Sequence, residues 1–241
     1  MFNSRVFVAE LIGTFALIFI GAGAAISGFG GLAGVAWAHG LVLATFVYVY
    51  GPISGGHFNP AVTFGLALNG TLQWGQAVYY WVAQFLGGAV AAFMLNLLVG
   101  TIGENGIREG ATIGLLTASS PYSAMVIEAI LTFFLVNAVL HGAVAGKAGS
   151  FAGLVIGLTL TFSILAGAPM SGASLNPARS FGPALFASSI DPAKPDLTNW
   201  IFYVVYFAGP LLGSALAVGL YKFLQGGAAI EEAAKRPPKK K

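Results

Sequence analysis

Long apolar stretches, nearly free of charge, alternate with short polar segments along this 241-residue chain. Six such stretches cover about residues 6–27, 34–52, 75–99, 123–146, 150–168 and 199–224. A helix needs about 20 apolar residues to cross a bilayer, and the second and fifth stretches lie near the lower limit of that length. The pattern predicts an all-α membrane protein with six transmembrane helices.

The triplet Asn-Pro-Ala occurs twice between these stretches. The two copies, which we call the Asn-Pro-Ala boxes, are Asn59, Pro60, Ala61 and Asn176, Pro177, Ala178. An Asn followed by a Pro is typical of a helix start, because Asn caps the helix and Pro fits its first turn. The segments after the second and fifth stretches are too short to span a bilayer. They predict two re-entrant half-helices, over 59–68 and 176–186.

The two halves of the chain also resemble one another outside the boxes. Glu10 in the first stretch parallels Glu128 in the fourth, and nearly the same number of residues separates each glutamate from its box. Each half holds three spans and one half-helix, so the second half enters the membrane from the opposite face. We therefore predict an inverted repeat, with its first copy over residues 1–122 and its second over 123–225. The two half-helices should meet near the midplane.

Composition and charge agree with a membrane location. Hydrophobic residues make up 57% of the chain and charged residues 8%, a profile that soluble domains rarely approach. The basic residues collect on one side of six spans, which by the positive-inside rule places both termini in the cytoplasm. That side holds Arg5, Lys147, Lys222, Lys235, Arg236, Lys239, Lys240 and Lys241, whereas the other holds Arg108 and Lys194 among Glu104, Glu109, Asp191 and Asp196. Residues 226–241 are expected to form a disordered, basic cytoplasmic tail, with attraction to anionic lipid as the sharper alternative.

Other function classes find little support in the sequence. The chain has no cysteine and three histidines, and no metal cluster or nucleophile–base arrangement is visible, so we expect no enzyme, no metal, no cofactor and no nucleic-acid partner. An ion-coupled transporter would need coupling carboxylates at the midplane, and the spans offer only Glu10 and Glu128. A junction role would rest on extramembrane loops, which look short and featureless. A pore is the most plausible interpretation.

The boxes, the paired glutamates and Arg179 after the second box together resemble the aquaporin, or major intrinsic protein, family over about residues 5–224. The resemblance implies a right-handed bundle of six tilted helices, one pore per subunit and a homotetramer in the lipid bilayer. It further implies passive conduction of water with exclusion of protons and ions. Ser180 follows Arg179 where glycerol facilitators typically have Asp, which favours the water-channel subclass.

Roles for the box residues follow from this resemblance and from charge. The two Asn side chains are expected to donate N–H bonds to a passing water, while the half-helix dipoles repel cations. The alternative is that each Asn is only a helix cap. Arg179 is expected to be the fixed cation of an outer constriction, the alternative being an arginine that reaches out to the head groups.

The remaining filter positions are carried over from the family by their spacing from the boxes. They give a selectivity filter of His39, Ile164, Ala173 and Arg179. Strict water channels usually have Phe and His at the first two of these positions, so this opening should be wider and less polar on one wall. The set resembles that of some plant tonoplast aquaporins, which implies passage of ammonia, hydrogen peroxide or urea besides water. The alternative function is a channel mainly for ammonia, urea, hydrogen peroxide or glycerol. The alternative for His39 is a side chain that is only packed among its neighbours.

The intramembrane acids and one further histidine suggest a supporting role. Glu10 and Glu128 are expected to accept hydrogen bonds from the re-entrant loops beside them, since unpaired polar groups are costly in lipid. A proton-transfer role is the alternative. His57 is expected to anchor its loop. Compact termini and short loops favour the plasma membrane of a prokaryote.

Overall fold

The computed structural model describes residues 3–99, 106–187, 197 and 199–235, with side chains described as far as residue 225 and not at 108 and 109. Several charged residues used for the topology argument therefore lie outside the described part. They are Glu104, Asp191, Lys194, Asp196, Arg236 and Lys239 to Lys241, together with the side chains of Arg108, Glu109 and Lys235.

Within the described residues the fold is helical. The α-helices are α1 (Ser4–Ser27), α2 (Gly31–Ser54), α3 (Pro60–Asn69), α4 (Trp74–Val99), α5 (Leu115–Ser119), α6 (Pro121–Asn137), α7 (Ala152–Ser171), α8 (Pro177–Ala187), α9 (Trp200–Tyr203) and α10 (Gly209–Lys235). A π-helical turn over Ala138–Val144 extends α6, and another over Val204–Ala208 joins α9 to α10. Short 3₁₀ turns cover Gly106–Gly110 and Gly149–Phe151.

Six of the described helical segments are long and apolar enough to cross a membrane, which confirms the predicted fold class. They are Ser4–Ser27, Gly31–Ser54, Trp74–Val99, Pro121–Val144, Gly149–Ser171 and Trp200–Gln225. The second and fifth extend beyond the predicted ranges at both ends, and each has a proline in its last turns, Pro52 or Pro169. Each then ends at a left-handed glycine, Gly55 with φ 90° or Gly172 with φ 89°, the usual geometry of a helix C-cap.

Both half-helices begin where the boxes predict. Asn59 caps α3 by accepting a hydrogen bond from the Ala61 N–H at 2.8 Å. Asn176 precedes α8 and accepts in the same way from the Ala178 N–H at 3.0 Å. The missing N–H of the proline at the first helical position costs nothing there, since no intrahelical acceptor lies opposite.

The packing of helices follows the inverted repeat. In the first half α1 packs against α4, and in the second half α6 packs against α10, while α2 and α7 pack against one another. Each half-helix packs against the last span of the other half, so α3 contacts α10 and α8 contacts α4. Close crossing requires glycine, because a methyl group at Gly87 would clash with the Leu11 carbonyl and one at Gly213 with the Ala129 carbonyl. These glycines allow the first and last spans of each half to pack closely.

In the structure the backbone of the predicted tail is helical over residues 226–235. The apolar span ends at Gln225, as expected, but α10 continues to Lys235. The residues after Gly227 are mainly alanine and glutamate, which have high helix propensity and extend the preceding helix.

Candidate functional site

The first re-entrant loop is held by the buried carboxylate of Glu10. Its Oε1 accepts from the Ser54 hydroxyl at 2.6 Å and from the His57 N–H at 2.9 Å. Its Oε2 accepts from the Phe58 N–H at 2.7 Å and from the Gln84 side chain at 2.8 Å. Each of these donors would otherwise be unpaired in an apolar interior, where a lost hydrogen bond is costly. The geometry suits the bracing role foreseen for this residue.

Glu128 holds the second loop with the same set of atoms. Oε1 accepts from the Ser171 hydroxyl at 2.7 Å and from the Ser174 N–H at 2.9 Å, and Oε2 accepts from the Leu175 N–H at 2.8 Å. Like Glu10, the side chain has no solvent-exposed surface. The two glutamates therefore place two backbone loops in matching positions inside the bundle.

The loops contain unusual backbone conformations. Phe58 and Leu175, which precede the two box asparagines, have φ values of 49° and 56°. Ala173 has φ 45°, and its counterpart in the first loop is Gly56 with φ 67°. Left-handed conformations are uncommon outside glycine and cost on the order of 1 kcal/mol or more. The bonds to the glutamates hold the loops in this shape against that cost.

The box asparagines bond across the repeat. Asn59 Nδ2 donates to the Leu175 carbonyl at 2.8 Å, and Asn176 Nδ2 donates to the Phe58 carbonyl at 2.9 Å. An amide nitrogen carries two hydrogens, so each asparagine keeps a second N–H beyond this bond. Both side chains line one internal cavity. The asparagines thus cap the half-helices, tie the loops together and face a common space.

That cavity is narrow and mostly apolar. Its empty volume is about 430 Å³, part of it open to solvent, and little of that space is wide enough for a water molecule. The described lining comprises Leu17, His39, Leu43, Gly56, His57, Asn59, Val62, Leu135, Val139, Ile156, Leu160, Ser174, Leu175, Asn176 and Arg179.

Arg179 is a buried residue of the cavity wall, and its side chain is held by three partners. Its Nη1 donates to the Gly110 carbonyl at 2.7 Å and to the Thr112 hydroxyl at 3.0 Å, and its Nε donates to His39 Nε2 at 3.2 Å. The opposite ring nitrogen, His39 Nδ1, lies 2.8 Å from the Val35 carbonyl, which can only accept. Nδ1 therefore carries the ring proton, Nε2 is the acceptor, and the imidazole in this arrangement is neutral.

The structure brings together part of the predicted filter. Arg179 and His39 share a hydrogen bond and both line the cavity. Ile164 and Ala173 are also buried, in an apolar cluster that includes the cavity-lining Leu135. Neither is among the described lining residues, so their place in a filter stays a prediction.

Sequence reasoning missed the segment between the third and fourth spans. Its turn Gly106–Gly110 packs against α1 and α8, and Gly110 and Thr112 supply two of the three bonds to Arg179. The view that the extramembrane loops are featureless is wrong for this segment. A backbone carbonyl and a single threonine carry no recognisable sequence signal, because only the fold places them beside the guanidinium.

His57 anchors its loop through both backbone and ring. Besides its N–H bond to Glu10, its Nδ1 lies 3.0 Å from the Thr63 hydroxyl, and its ring contacts Tyr80 at a centroid distance of 4.5 Å. The ring therefore links the loop to α3 and α4. Its cavity-facing position also fits the expected loop-anchoring role.

A comparison with known families decides the classification. A family model described as "Major intrinsic protein" matches residues 1–221. The chain belongs to the major intrinsic protein family.

Individual relatives within this family are similar over most of their length. Aquaporin TIP2-1 of Arabidopsis thaliana is 38% identical over 230 residues, which is 90% of this chain and 86% of that protein. Probable aquaporin TIP3-2 of Oryza sativa subsp. japonica is 41% identical over 197 residues, or 81% and 68% of the two chains. These relatives confirm the resemblance to aquaporins. They are plant proteins, and they give no support to the expected prokaryotic plasma membrane.

A solved structure shares the fold. The X-ray structure of the aquaglyceroporin from Plasmodium falciparum has a TM-score of 0.79 and 26% sequence identity, and the match covers 90% of this chain and 95% of that one. The chain therefore has an aquaglyceroporin-like fold.

Proposed function

We propose that the chain is a passive channel that conducts water and small neutral solutes, including ammonia, and excludes protons and ions. The observation that carries the proposal is the pair of box asparagines, which begin two opposed half-helices and line the same narrow cavity. The family relationship supports a channel rather than an enzyme. No catalytic step is required of any residue.

Exclusion of protons would follow from the asparagine geometry. A water in the cavity can accept from the second N–H of Asn59 and of Asn176, so both of its own hydrogens point away along the file. The donor–acceptor chain that a proton needs is then interrupted. The N-terminal ends of α3 and α8 add partial positive charge at the same place, which opposes cations.

The outer selectivity is assigned to His39, Ile164, Ala173 and Arg179. Because His39 Nε2 already accepts from Arg179, the histidine contributes a ring wall and holds the arginine, while the arginine is the donor toward solutes. Ile164 supplies no hydrogen bond where strict water channels have a histidine. A filter with one polar corner and apolar walls suits ammonia, which has fewer hydrogen bonds to replace than urea.

A channel whose main solute is ammonia, urea, hydrogen peroxide or glycerol is the second candidate. The apolar character of Ile164 and the small volume of Ala173 favour it. An integral, multi-pass location with both termini in the cytoplasm follows from six spans and from Arg5, Lys147 and Lys222 on one side. A homotetramer is proposed from the family relationship alone.

Stopped-flow shrinkage of reconstituted proteoliposomes under an impermeant osmolyte tests the function, with ammonia uptake followed by an internal pH dye. Fast shrinkage with rapid alkalinisation is expected. Fast shrinkage without an ammonia signal would leave a plain water channel and refute the wide filter. Flux no faster than in empty vesicles, in either assay, would refute the open-channel proposal.

A further inference from the structure

Each half of the chain contributes leucines to the cavity wall at equivalent positions of the repeat. When Asn59 is aligned with Asn176 without a gap, Leu43 is equivalent to Leu160. When the paired glutamates of α1 and α6 are aligned, Leu17 is equivalent to Leu135. All four leucines line the cavity. The inverted repeat therefore determines the chemistry of the pore wall as well as the fold.

The same alignment shows where this symmetry fails. In this alignment His39 is equivalent to Ile156, and Arg179 is equivalent to Val62. All four line the cavity. Because the repeat is inverted, the outer polar pair has an apolar counterpart toward the inner end of the pore. The two ends of one pore thus present opposite chemistry at equivalent positions.

A third pair of equivalent positions also differs between the halves. When the paired glutamates are aligned, Gly21 is equivalent to Val139. A methyl group at Gly21 would clash with the His39 ring, so the glycine makes room for the imidazole beside Arg179. Val139 instead fills its position, lies in the π-helical turn Ala138–Val144 and lines the cavity. π-helical turns are rare and often occur at functional sites.

Val62, Val139 and Ile156, which we call the inner ring, are 3%, 8% and 5% exposed and belong to one apolar cluster. Their side chains offer neither donors nor acceptors. A solute passing them must give up hydrogen bonds to water without replacement from these side chains, and apolar constrictions oppose passage in this way.

We propose that the inner ring is a second selectivity point of the pore, which discriminates among neutral solutes by the cost of dehydrating them. The outer end then selects by charge and hydrogen bonding, and the inner ring selects against solutes with many hydrogen-bonding groups. Urea should be retarded more than ammonia. This inference rests on the proposed channel function and adds to it the residues that determine the solute range.

The test is the double variant Val62→Thr with Val139→Thr, which keeps the side-chain shape and adds two hydroxyls to the ring. The measured quantity is the ratio of urea to ammonia permeability in proteoliposomes. We expect the ratio to rise about fivefold, the factor that one additional hydrogen bond typically gives. Val78→Thr with Val82→Thr is the matched control, because both valines are about half exposed on the outer face of α4.

A second pair of variants separates dehydration from size. Val62→Ala with Val139→Ala widens the ring without adding polarity, so it should raise the ratio less than the threonine pair does. Ile156→Thr repeats the polar test at the third position and should also raise the ratio. A larger effect of alanine than of threonine would overturn the inference, since size alone would then govern passage.

The outcome for the inference is distinguishable from the outcome for the channel function. If the wild type conducts water and ammonia but both threonine variants keep the wild-type ratio, the inner ring is refuted and the channel stands. If the wild type conducts neither, the channel function itself fails. Size-exclusion elution as one species, with a wild-type circular dichroism spectrum, is the criterion for a correctly folded variant.

Discussion

The first and second re-entrant loops use the same bonds at equivalent atoms. In each, a serine hydroxyl and two backbone N–H groups donate to one buried glutamate. A tyrosine hydroxyl from the last span of each half donates to the carbonyl of that serine, from Tyr80 to Ser54 at 2.6 Å and from Tyr206 to Ser171 at 2.9 Å. The frame that holds the loops is duplicated almost atom for atom.

What differs between the halves is the chemistry at the ends of the pore. The outer end has a charged arginine and a histidine where the inner end has Val62 and Ile156. The frame also differs in the partners of its glutamates, because Gln84 donates to Glu10 whereas Pro210 at the equivalent position has no side-chain amide. The comparison teaches that a repeated scaffold can be kept while its two ends take different selective roles.

The largest effect is expected from breaking the duplicated frame. Glu10→Gln replaces an acceptor oxygen with an amide that faces N–H donors, and loses hydrogen bonds to a charged group worth about 1.5–3 kcal/mol each. We expect a loss of about 3 kcal/mol or more in the free energy of unfolding. The loss for Glu128→Gln should be smaller, because Glu10 has a bond from Gln84 that has no equivalent at Glu128. Thermal unfolding in detergent, followed by near-ultraviolet circular dichroism, measures both. In a Gln84→Leu background, Glu10→Gln and Glu128→Gln should lower the free energy of unfolding by the same amount. A difference between them that is as large in this background as in the wild type would contradict the argument.

Converting the outer end into a copy of the inner end is expected to have the next largest effect. Arg179→Val removes the buried cation and leaves the residue type found at position 62. We expect proton or cation leak to rise about tenfold, the change that about 1.4 kcal/mol of lost barrier produces. A pH dye inside vesicles under an imposed gradient measures the leak. Arg5→Val is the control, since that arginine is exposed outside the cavity, and an unchanged leak for Arg179→Val would refute its role as a charge barrier.

Altering only the filter walls should have a more selective effect. The double variant His39→Phe with Ile164→His introduces the residue types usual in strict water channels. We expect ammonia flux to fall several-fold while osmotic water flux is retained, because the opening becomes narrower and more polar. Parallel shrinkage and alkalinisation assays measure the two fluxes. Unchanged ammonia flux would count against the assignment of these two positions.

The smallest effect is expected from loosening one support of the arginine. Thr112→Val removes the 3.0 Å bond to Nη1 and leaves the bonds to Gly110 and His39. We expect about a twofold change in water permeability, in line with the net value of a single hydrogen bond. Thr71→Val, at an exposed position beside the end of α3, is the matched control. A water permeability changed as much as in Arg179→Val would mean that this one bond positions the arginine.

Much of the fold could be predicted because its causes are local in the chain. Spans follow from the length of apolar stretches, and half-helix starts follow from Asn-Pro, where a cap and a fixed φ act within a few residues. The paired glutamates could be singled out because an acid within a span requires partners. The left-handed backbone of Ala173 could not be predicted, since alanine rarely adopts it. Only its alignment with Gly56 gives a signal.

The sequence by itself determined the membrane location, the six spans, the two boxes and the inverted repeat, because hydrophobic length, helix capping and internal similarity are properties of the chain. Only the tertiary structure decided which groups meet. It tied each asparagine to the opposite loop, gave Arg179 its bonds to His39 and Thr112, and brought the inner ring and the polar pair to the wall of one cavity. These contacts join residues far apart in sequence, and their partners are backbone carbonyls and common side chains that acquire a role only when the helices pack.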